Sequence, residues 1–321
     1  MRYHLAVDSG GTKVQAVLYD DAFHPVDQCR VGSMRLSAMS REAAERHAEE
    51  LLAKLRIPER EMGCICGIVE PVLQEKIQPY LAPGAVVSVT EADMGFGACG
   101  VTGDACLTVA GTGATVFVRK GEQLLHAGGY GSAVADEGSG YWIGRMALGA
   151  AIHDYEGRGP KTLLTDLLAA RMGGNRESFR ERVFSYMYGD HSGEALSRVA
   201  GCTPLVSSAA LQGDVCARNI LMEAGMLLAQ QACAMIRKCE LSPYIPVALS
   251  GSVWRSHEIL KQTFTRVLRE NGALGQVVAP LFEPVMGAVI DHLKRIRGGL
   301  SPEDMQEIQK QFKDYLYRTD R

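Results

Sequence analysis

Alternating apolar and polar positions divide the chain into two halves that begin in the same way. Residues Tyr3–Asp8 and Val14–Tyr19 are short runs rich in Val, Leu and Tyr, and a Gly-Gly-Thr-Lys turn separates them. Two such runs around a glycine turn are typical of a β-hairpin. A third strand is predicted at Pro25–Val31, and an apolar stripe at helical spacing predicts a helix over Ser40–Leu55.

The same order returns in the second half. Leu107–Gly113 repeats Leu5–Gly11 as a strand followed by a glycine turn, and another strand follows at Ala114–Val118. Short apolar strands that alternate with helical segments are typical of an α/β protein. This weak internal repeat predicts two domains of similar topology, residues 1–103 and 104–321. The pattern leaves open whether the last helices pack back on the N-terminal domain.

Beyond this repeat the second half is mostly helical, apart from a strand at Val247–Leu249. Helices are predicted over residues 138–153, 161–171, 176–186, 194–200, 214–239, 258–270, 284–295 and 301–317.

Composition limits the classes of partner. Hydrophobic residues make up 46% of the 321 residues, charged residues 22%, and the net charge is −3, as in an ordinary soluble protein. No basic excess favours nucleic acid, and no apolar run has the length of a membrane span. The N-terminus enters a strand directly, without the pattern of a signal peptide, so the sequence predicts a cytoplasmic protein.

The nine cysteines are an odd number and mostly stand in apolar surroundings. This distribution is typical of small buried residues and argues against a disulfide framework. Cys64 and Cys66 would lie on the same face of a strand, but no further metal ligands stand near them in the sequence. They are therefore predicted to be buried thiols.

The turn after the first strand carries groups suited to ATP. Gly10 and Gly11 lack side chains that would keep backbone N–H groups away from a triphosphate. Asp8, at the strand end, can hold Mg²⁺ directly or through water. Thr12 adds a hydroxyl and Lys13 a positive charge.

Two further glycine turns follow strands. Gly111, Thr112 and Gly113 form one, and Gly251 with Ser252 forms another before a helix, whose N-terminus favours anions. One glycine turn alone is typical of a simple hairpin, but three at strand ends indicate a nucleotide site. Neither the P-loop pattern nor the dinucleotide-binding G-x-G-x-x-G pattern occurs, so both of those sites are excluded.

These motifs resemble those of the N-acetylglucosamine kinase and BadF/BadG/BcrA/BcrD ATPase family, within the sugar kinase, Hsp70 and actin superfamily. Asp8–Lys13 resembles the first phosphate motif, Ala110–Gly113 the second, and Ser250–Trp254 the adenosine motif. Asp136–Gly144, preceded by Gly128–Gly131, is the most specific match.

The resemblance implies an α/β fold of two RNase-H-like, actin-like ATPase domains with a nucleotide cleft between them. It also implies ATP, Mg²⁺, an amino-sugar substrate and often a homodimer. Gly128, Gly129, Gly131 and Asp136 would contact the sugar. Considered without the family, Asp136 is also compatible with an N-cap of the helix that follows it.

A sugar kinase needs a carboxylate that accepts the proton of the attacking hydroxyl. Glu91 stands where the family has an aspartate, and Asp93 is the second candidate. Both could instead be first-turn acids of the next helix, where negative charge is favourable. Glu91 is preferred over Asp93 on its alignment with the family.

A second departure from the family concerns the sugar. Arg35 stands where an asparagine that contacts a sugar hydroxyl is expected. A guanidinium pairs well with a carboxylate, which suggests a substrate such as a muramic-type sugar. A solvated loop arginine is the open alternative.

Three functions remain open from the sequence. The first is an ATP-dependent kinase for an amino sugar such as N-acetylglucosamine or a carboxylate-bearing relative. The second is a BadF-type ATPase acting on a protein partner, although Cys64 and Cys66 do not match the iron–sulfur arrangement of those activators. The third is a sensor of sugar or nucleotide without catalysis, consistent with the departures at Glu91 and Arg35. The kinase is the expected function.

Overall fold

The structure is a computed structural model that describes residues 1–36, 39–132, 134–188 and 195–318. Its Cα positions divide into two compact units. The first unit is Met1–Thr102 with Val278–Arg318, and the second is Gly103–Val277. The C-terminal segment, for which the sequence left open a return to the N-terminal domain, is thus part of the first unit.

The first unit contains a five-stranded sheet of order β3-β2-β1-β4-β5, in which β1 to β3 are antiparallel and β4 and β5 continue in parallel with β1. Its elements up to the boundary are β1 (Tyr3–Ser9), β2 (Lys13–Asp20), β3 (Pro25–Gly32), α1 (Arg41–Lys54), β4 (Met62–Ile68), α2 (Pro71–Ile77), β5 (Val86–Ser88) and α3 (Glu91–Ala98).

The second unit also contains a five-stranded sheet, of order β10-β9-β6-β7-β8. Its elements are β6 (Ala105–Ala110), β7 (Ala114–Lys120), β8 (Gln123–Gly128), α4 (Gly140–Tyr155), α5 (Leu164–Arg171), α6 (Phe179–Tyr188), α7 (Ala195–Ala200), α8 (Thr203–Leu211), α9 (Val215–Lys238), β9 (Val247–Ser250), α10 (Glu258–Glu270) and β10 (Val277–Val278). The chain ends with α11 (Met286–Arg297) and α12 (Pro302–Gln311).

The two sheets have the same topology. Each begins with a three-stranded antiparallel meander, and a strand parallel to the first is added on the other side. This arrangement confirms the predicted α/β class and the repeat.

Both faces of the first sheet are covered. Side chains alternate along a strand, so Leu5 and Val7 point to one face of β1 and Ala6 to the other. The first face packs on α1 and α2 in one apolar cluster. The second face packs with Met94 of α3 and Val289 of α11 in another. The C-terminal helix α11 therefore completes the core of the first unit.

A glycine in each unit allows two strands to approach closely at their carboxyl ends. Gly67 lies in β4, which pairs with β1. A Cβ on Gly67 would lie 2.0 Å from the carbonyl oxygen of Val7. A Cβ on Gly251 would lie 2.3 Å from the carbonyl oxygen of Ala110. Both glycines have positive φ, +121° and +100°, which other residues rarely adopt. The two positions are equivalent in the duplicated topology.

Short helices account for the main differences from the sequence prediction. The seven-residue α2 and the nine-residue α8 were not predicted, because neither is long enough to show a clear helical stripe. The last predicted helix ends early, and a 3₁₀ turn, Lys313–Tyr315, follows it. The predicted start at residue 194 lies outside the described residues. Within the described ranges no helix is both long and apolar enough to cross a membrane.

The contact between α3 and α11 can be tested at Gly287. A Cβ there would lie 2.1 Å from the carbonyl oxygen of Met94, so Gly287→Ala should lower the free energy of unfolding by about 1–3 kcal/mol. Gly149, within α4, is the matched control, because no described atom lies within 4 Å of its would-be Cβ. Gly149→Ala should raise stability by up to about 1 kcal/mol through helix propensity. Urea unfolding followed by circular dichroism distinguishes these signs, and a stabilised Gly287→Ala protein would contradict the packing.

Candidate active site

The turn between β1 and β2 is held by hydrogen bonds to the backbone of Gly10. The Gly10 N–H donates to the Lys13 carbonyl at 2.9 Å. The buried Ser33 hydroxyl donates to the Gly10 carbonyl at 3.0 Å. Gly11 has open space, since no described atom lies within 4 Å of its would-be Cβ, and Thr12 is exposed. The turn is fixed in place while its tip stays accessible to a phosphate.

Asp8 lies at the end of β1 among charged side chains. Burial is the main cause that raises the pKa of its carboxyl, and Glu283 raises it further. Lys13 and Arg35 act in the opposite direction. Glu283 is itself buried, at 3% exposure, and precedes α11. Two carboxylates therefore approach each other beside the first phosphate turn.

Glu91 and Asp93 both lie in the first turn of α3, but their surroundings differ. Thr90 is the N-cap: its hydroxyl oxygen accepts from the Asp93 N–H at 3.1 Å and its O–H donates to the Asp93 carboxylate at 2.7 Å. Protein atoms around the Glu91 carboxyl, and then the Asp8 charge, raise its pKa. The residue as a whole remains exposed, so solvent limits the size of this effect. Asp93 is hydrogen-bonded to the N-cap residue Thr90, whereas Glu91 interacts electrostatically with Asp8.

Arg35 lies beside the same carboxylates. Its backbone N–H donates to the Ser33 hydroxyl at 3.2 Å, which ties its loop to the phosphate turn. Its guanidinium lies 3.5 Å from the Glu70 carboxylate and 3.5 Å from the Ser9 carbonyl. The side chain is 47% exposed. Arg35 therefore has protein partners, but at long distances, and it can still reach a ligand.

The second phosphate turn is bonded to the start of α4. The Gly111 N–H donates to the Gly113 carbonyl at 2.9 Å. From the helix, the Gly140 N–H donates to the Gly111 carbonyl at 2.8 Å and the Tyr141 N–H donates to the Thr112 carbonyl at 3.2 Å. These bonds orient the turn by its carbonyl groups.

The glycine loop after β8 has the backbone that its sequence suggests. Gly128, Gly129 and Gly131 have φ of +87°, +73° and +91°. A Cβ on Gly128 would also lie 3.1 Å from the Ala114 carbonyl oxygen. Only glycine is favourable in this conformation, so the loop can follow β7 closely and turn toward Asp136.

Asp136 is a buried carboxylate at 6% exposure, and only one of its two oxygens accepts a hydrogen bond from a described residue. Its Oδ2 accepts from the Ser132 hydroxyl at 3.1 Å. Its Oδ1 is buried and has no hydrogen-bond partner among the described residues. Burial is the main cause that raises the pKa of this carboxyl. A buried acceptor of this kind indicates a missing donor, such as a ligand hydroxyl.

The helix-capping interpretation of Asp136 is wrong. Ser139 caps α4, and its hydroxyl oxygen accepts from the Trp142 N–H at 3.1 Å. Asp136 instead has a φ of +63°. A Cβ on Gly113 would lie 2.7 Å from Asp136 Oδ2, so the second phosphate turn leaves the space that this carboxylate needs.

The third glycine turn follows β9 and precedes a helix as predicted, and α10 spans the predicted residues Glu258–Glu270. A 3₁₀ turn, Ser252–Arg255, lies between the glycine turn and this helix. The Trp254 indole N–H donates to the Thr108 carbonyl at 3.2 Å, which anchors the turn to β6. Gly251 and Ser252 thus lie at the carboxyl end of the sheet, close to the second phosphate turn's strand.

The sequence interpretation missed two residues of this region. Gly67 is the first-unit equivalent of Gly251, and the internal repeat was the signal that could have identified it. Glu283 is brought to Asp8 by the return of the chain to the first unit, and nothing local in the sequence marks it.

The sequence pattern of the BadF/BadG/BcrA/BcrD ATPase family matches residues 5–290 of the chain. The chain belongs to this family. Two relatives match over most of their length. The N-acetylmuramic acid/N-acetylglucosamine kinase of Clostridium acetobutylicum is 25% identical over 308 residues, covering 90% of this chain and 98% of the relative. The N-acetyl-D-glucosamine kinase of Dictyostelium discoideum is 26% identical over 282 residues, covering 87% and 79%.

Solved structures support the fold of this BadF/BadG/BcrA/BcrD-family chain. A candidate N-acetylglucosamine kinase from Chromobacterium violaceum aligns with a TM-score of 0.62 at 22% identity, covering 90% of this chain and 98% of that one. A glucokinase of the ROK family from Streptomyces griseus, in complex with glucose and AMPPNP, aligns with a TM-score of 0.56 at 16% identity, covering 92% and 99%.

The raised pKa of Asp8 predicts a pH-dependent cost in stability. A carboxyl whose pKa is higher in the folded than in the unfolded chain stabilises the fold at low pH and loses that contribution as the pH rises through the folded pKa. The pKa of Asp8 lies above its ordinary value of 3.8, so Asp8→Asn should be more stable than the wild type near pH 7 and equally stable near pH 3.

Urea unfolding between these pH values, without nucleotide or Mg²⁺, measures this difference. Glu122→Gln, at an exposed turn position, is the control and should show no such pH-dependent gain. A wild type that is as stable as Asp8→Asn across the range would contradict the electrostatic cost.

Proposed function

We propose that the protein is an ATP-dependent kinase that phosphorylates a hydroxyl group of an amino sugar. The observation that carries the proposal is the position of Glu91, which is free of the capping role that Asp93 has and lies within electrostatic reach of Asp8. The two relatives named as amino-sugar kinases match nearly the whole chain, which supports the same substrate class. Family membership supports the use of ATP.

The first unit has residues that fit a magnesium ion. Asp8 and Glu283 offer carboxylate oxygens, the ligands that Mg²⁺ prefers, and their mutual repulsion favours a bound cation. We assign Asp8 as the carboxylate that holds the ion, directly or through water. A bound Mg²⁺ would supply positive charge next to the transferred phosphoryl group.

Three glycine turns are assigned to binding different parts of ATP. Gly10, Gly11, Thr12 and Lys13 present backbone N–H groups, a hydroxyl and a positive charge to phosphate. We assign Gly111, Thr112 and Gly113 as the second phosphate turn and Gly251 with Ser252 as the contact for the adenosine of ATP.

We assign a role in the reaction to one carboxylate with elevated pKa in each unit. Glu91 accepts the proton of the attacking hydroxyl, and a pKa above the ordinary value brings this base closer to neutral pH. Asp136 accepts a hydrogen bond from another sugar hydroxyl through its unpartnered Oδ1. The backbone of Gly128, Gly129 and Gly131 shapes the loop that borders the sugar.

Arg35 extends this proposal to sugars that carry a carboxylate. Its guanidinium makes only long contacts, near 3.5 Å, with Glu70 and Ser9, so a substrate carboxylate could replace them with a shorter charge-assisted bond. The name of the Clostridium acetobutylicum relative includes N-acetylmuramic acid, which bears such a group.

The assignment of the base predicts opposite effects at two neighbouring acids. Glu91→Gln should lower kcat at least about 100-fold and leave ATP binding intact, because the proton acceptor is lost while the phosphate turns remain. Asp93→Asn should retain kcat within a few-fold and lose about 1 kcal/mol of stability through the weakened cap. Steady-state ADP release with an amino sugar measures both, and equal losses of kcat would refute the assignment.

The role of Arg35 predicts a change in substrate preference. Arg35→Ala should raise the KM for N-acetylmuramic acid by about 10-fold or more, with little change for N-acetylglucosamine, because only the first sugar loses an ion pair. Arg30→Ala, at an exposed position of β3, is the matched control and should affect neither. If Arg35→Ala leaves the ratio of the two KM values unchanged, Arg35 does not bind the carboxylate.

The same assay separates the other candidate functions. ADP release that does not depend on sugar would indicate an ATPase acting on a protein partner, and nucleotide binding without turnover would indicate a sensor. The homodimer and the cytoplasmic location stay predictions, which size-exclusion chromatography and cell fractionation can test.

A further inference from the structure

Three metal-binding side chains meet in the core of the first unit, on the sheet face that α11 covers. His4 comes from β1, Cys64 from β4 and His292 from α11, and each is 8% exposed. One ligand atom from each residue lies within 4.8 Å of the other two. The sequence interpretation treated Cys64 as a simple buried thiol, because its two histidine neighbours come from distant parts of the chain.

The distances in this His–Cys–His cluster fit a single tetrahedral ion. Cys64 Sγ lies 3.3 Å from His4 Nδ1 and 3.5 Å from His292 Nε2. Zinc bonds of about 2.0 Å to nitrogen and about 2.3 Å to sulfur place adjacent tetrahedral ligands about 3.5 Å apart. The two edges to Cys64 Sγ already have the required length, and the distance between the two histidine nitrogens needs to shorten by about 1.5 Å from its upper bound of 4.8 Å.

In both imidazoles the second ring nitrogen has a polar partner that fixes the orientation of the ring, as is usual for metal-binding histidines. His4 Nε2 lies 3.1 Å from a carboxylate oxygen of Asp21. His292 Nδ1 lies 2.7 Å from the Tyr19 hydroxyl. Since an ionised carboxylate only accepts, His4 Nε2 carries the proton and its Nδ1 presents a lone pair toward Cys64.

The surroundings are shaped for these side chains. A Cβ on Gly63 would lie 2.4 Å from His4 Cε1, so the glycine leaves room for the ring. The Phe23 ring lies 5.5 Å from the His292 ring, which keeps the site apolar on that side. Cys66, two residues after Cys64 on the same strand face, is a further soft donor, with Sγ 3.3 Å from the Tyr19 hydroxyl.

The second unit shows that the fold does not require polar side chains here. Aligning the two units on Gly67 and Gly251 relates Cys64 to Ala248 and His4 to Leu107, one residue away from the sequence repeat, which paired Leu107 with Leu5. The strand partners of Cys64 and Ala248 are His4 and Leu107 respectively. Both Ala248 and Leu107 are fully buried. An apolar pair fills this position in one unit, so the polar cluster in the other has a cost that packing alone does not explain.

We propose that His4, Cys64 and His292 form a binding site for a borderline-soft transition-metal ion such as Zn²⁺. The combination of one thiolate and two imidazoles suits such ions and does not suit Mg²⁺. Cys66 or a water molecule completes the coordination. The ion ties α11 to β1 and β4, a structural role in which it does not contact the substrate.

Cobalt binding to the full-length, chelator-treated protein tests the site. Co²⁺ should bind with a stoichiometry of one per chain and give a thiolate-to-cobalt charge-transfer absorption. Added Zn²⁺ should displace it and raise Tm by about 5 °C or more. Cys64→Ser should abolish the charge-transfer absorption, while Cys29→Ser, another buried thiol of the first unit, should retain it.

Asp21→Asn provides a second variant at the surface, because the Asp21 side chain is 47% exposed and its replacement leaves the core unchanged. It should weaken Co²⁺ affinity about 10–100-fold by removing the carboxylate behind His4. The proposal is overturned if the wild type gives no charge-transfer absorption. It is equally overturned if Cys64→Ser binds Co²⁺ with the same absorption and the same Tm shift as the wild type.

Discussion

Burial of the Asp8 carboxyl beside two further carboxylates is the constraint on which the charged end of the first unit is organised. The charge of Glu283 raises the pKa of Asp8, and the charge of Asp8 raises the pKa of Glu91. The three acids come from β1, the first turn of α3 and the residues before α11, and the packing of α3 and α11 on the sheet holds them together. That packing depends on Gly287, whose lack of a side chain lets the helix lie against Met94. Apolar packing thus stabilises an arrangement of charges that disfavours the folded state on its own.

The duplicated topology explains why each unit presents a turn at the same edge of its sheet. In both units a glycine with positive φ lets the added parallel strand approach the first strand of the meander. The side chains around the turns have nevertheless diverged. The first unit has Asp8 and Glu91, which suit a cation and proton transfer, whereas the second has the glycine loop and Asp136, which suit hydroxyl groups. The repeat supplies the geometry, and the substitutions divide the chemistry between the halves.

Features determined by neighbouring residues could be predicted from the sequence, and features determined by distant contacts could not. The hairpins and glycine turns follow from local alternation and backbone freedom, so the hairpin that begins each sheet was anticipated. The choice between Asp93 and Glu91 needed the hydrogen bonds of Thr90, since both acids stand in the same helical turn. Asp136 was also compatible with a cap until Ser139 was seen to occupy that role. Glu283 and His292 reach their partners only through the return of the chain to the first unit.

This return segment connects the two polar sites of the first unit. Glu283 lies just before α11, and its charge raises the pKa of Asp8. His292 lies within α11 and contacts Cys64 of β4. A helix that is rigid over this length transmits its position from one end to the other, so fixing His292 also fixes the approach of Glu283. Close-packed side chains already resist sliding of the helix, and ligand bonds to a common ion add a directional constraint on its position. An ion bound by His4, Cys64 and His292 would therefore help to keep the carboxylate next to Asp8 in place without touching the substrate.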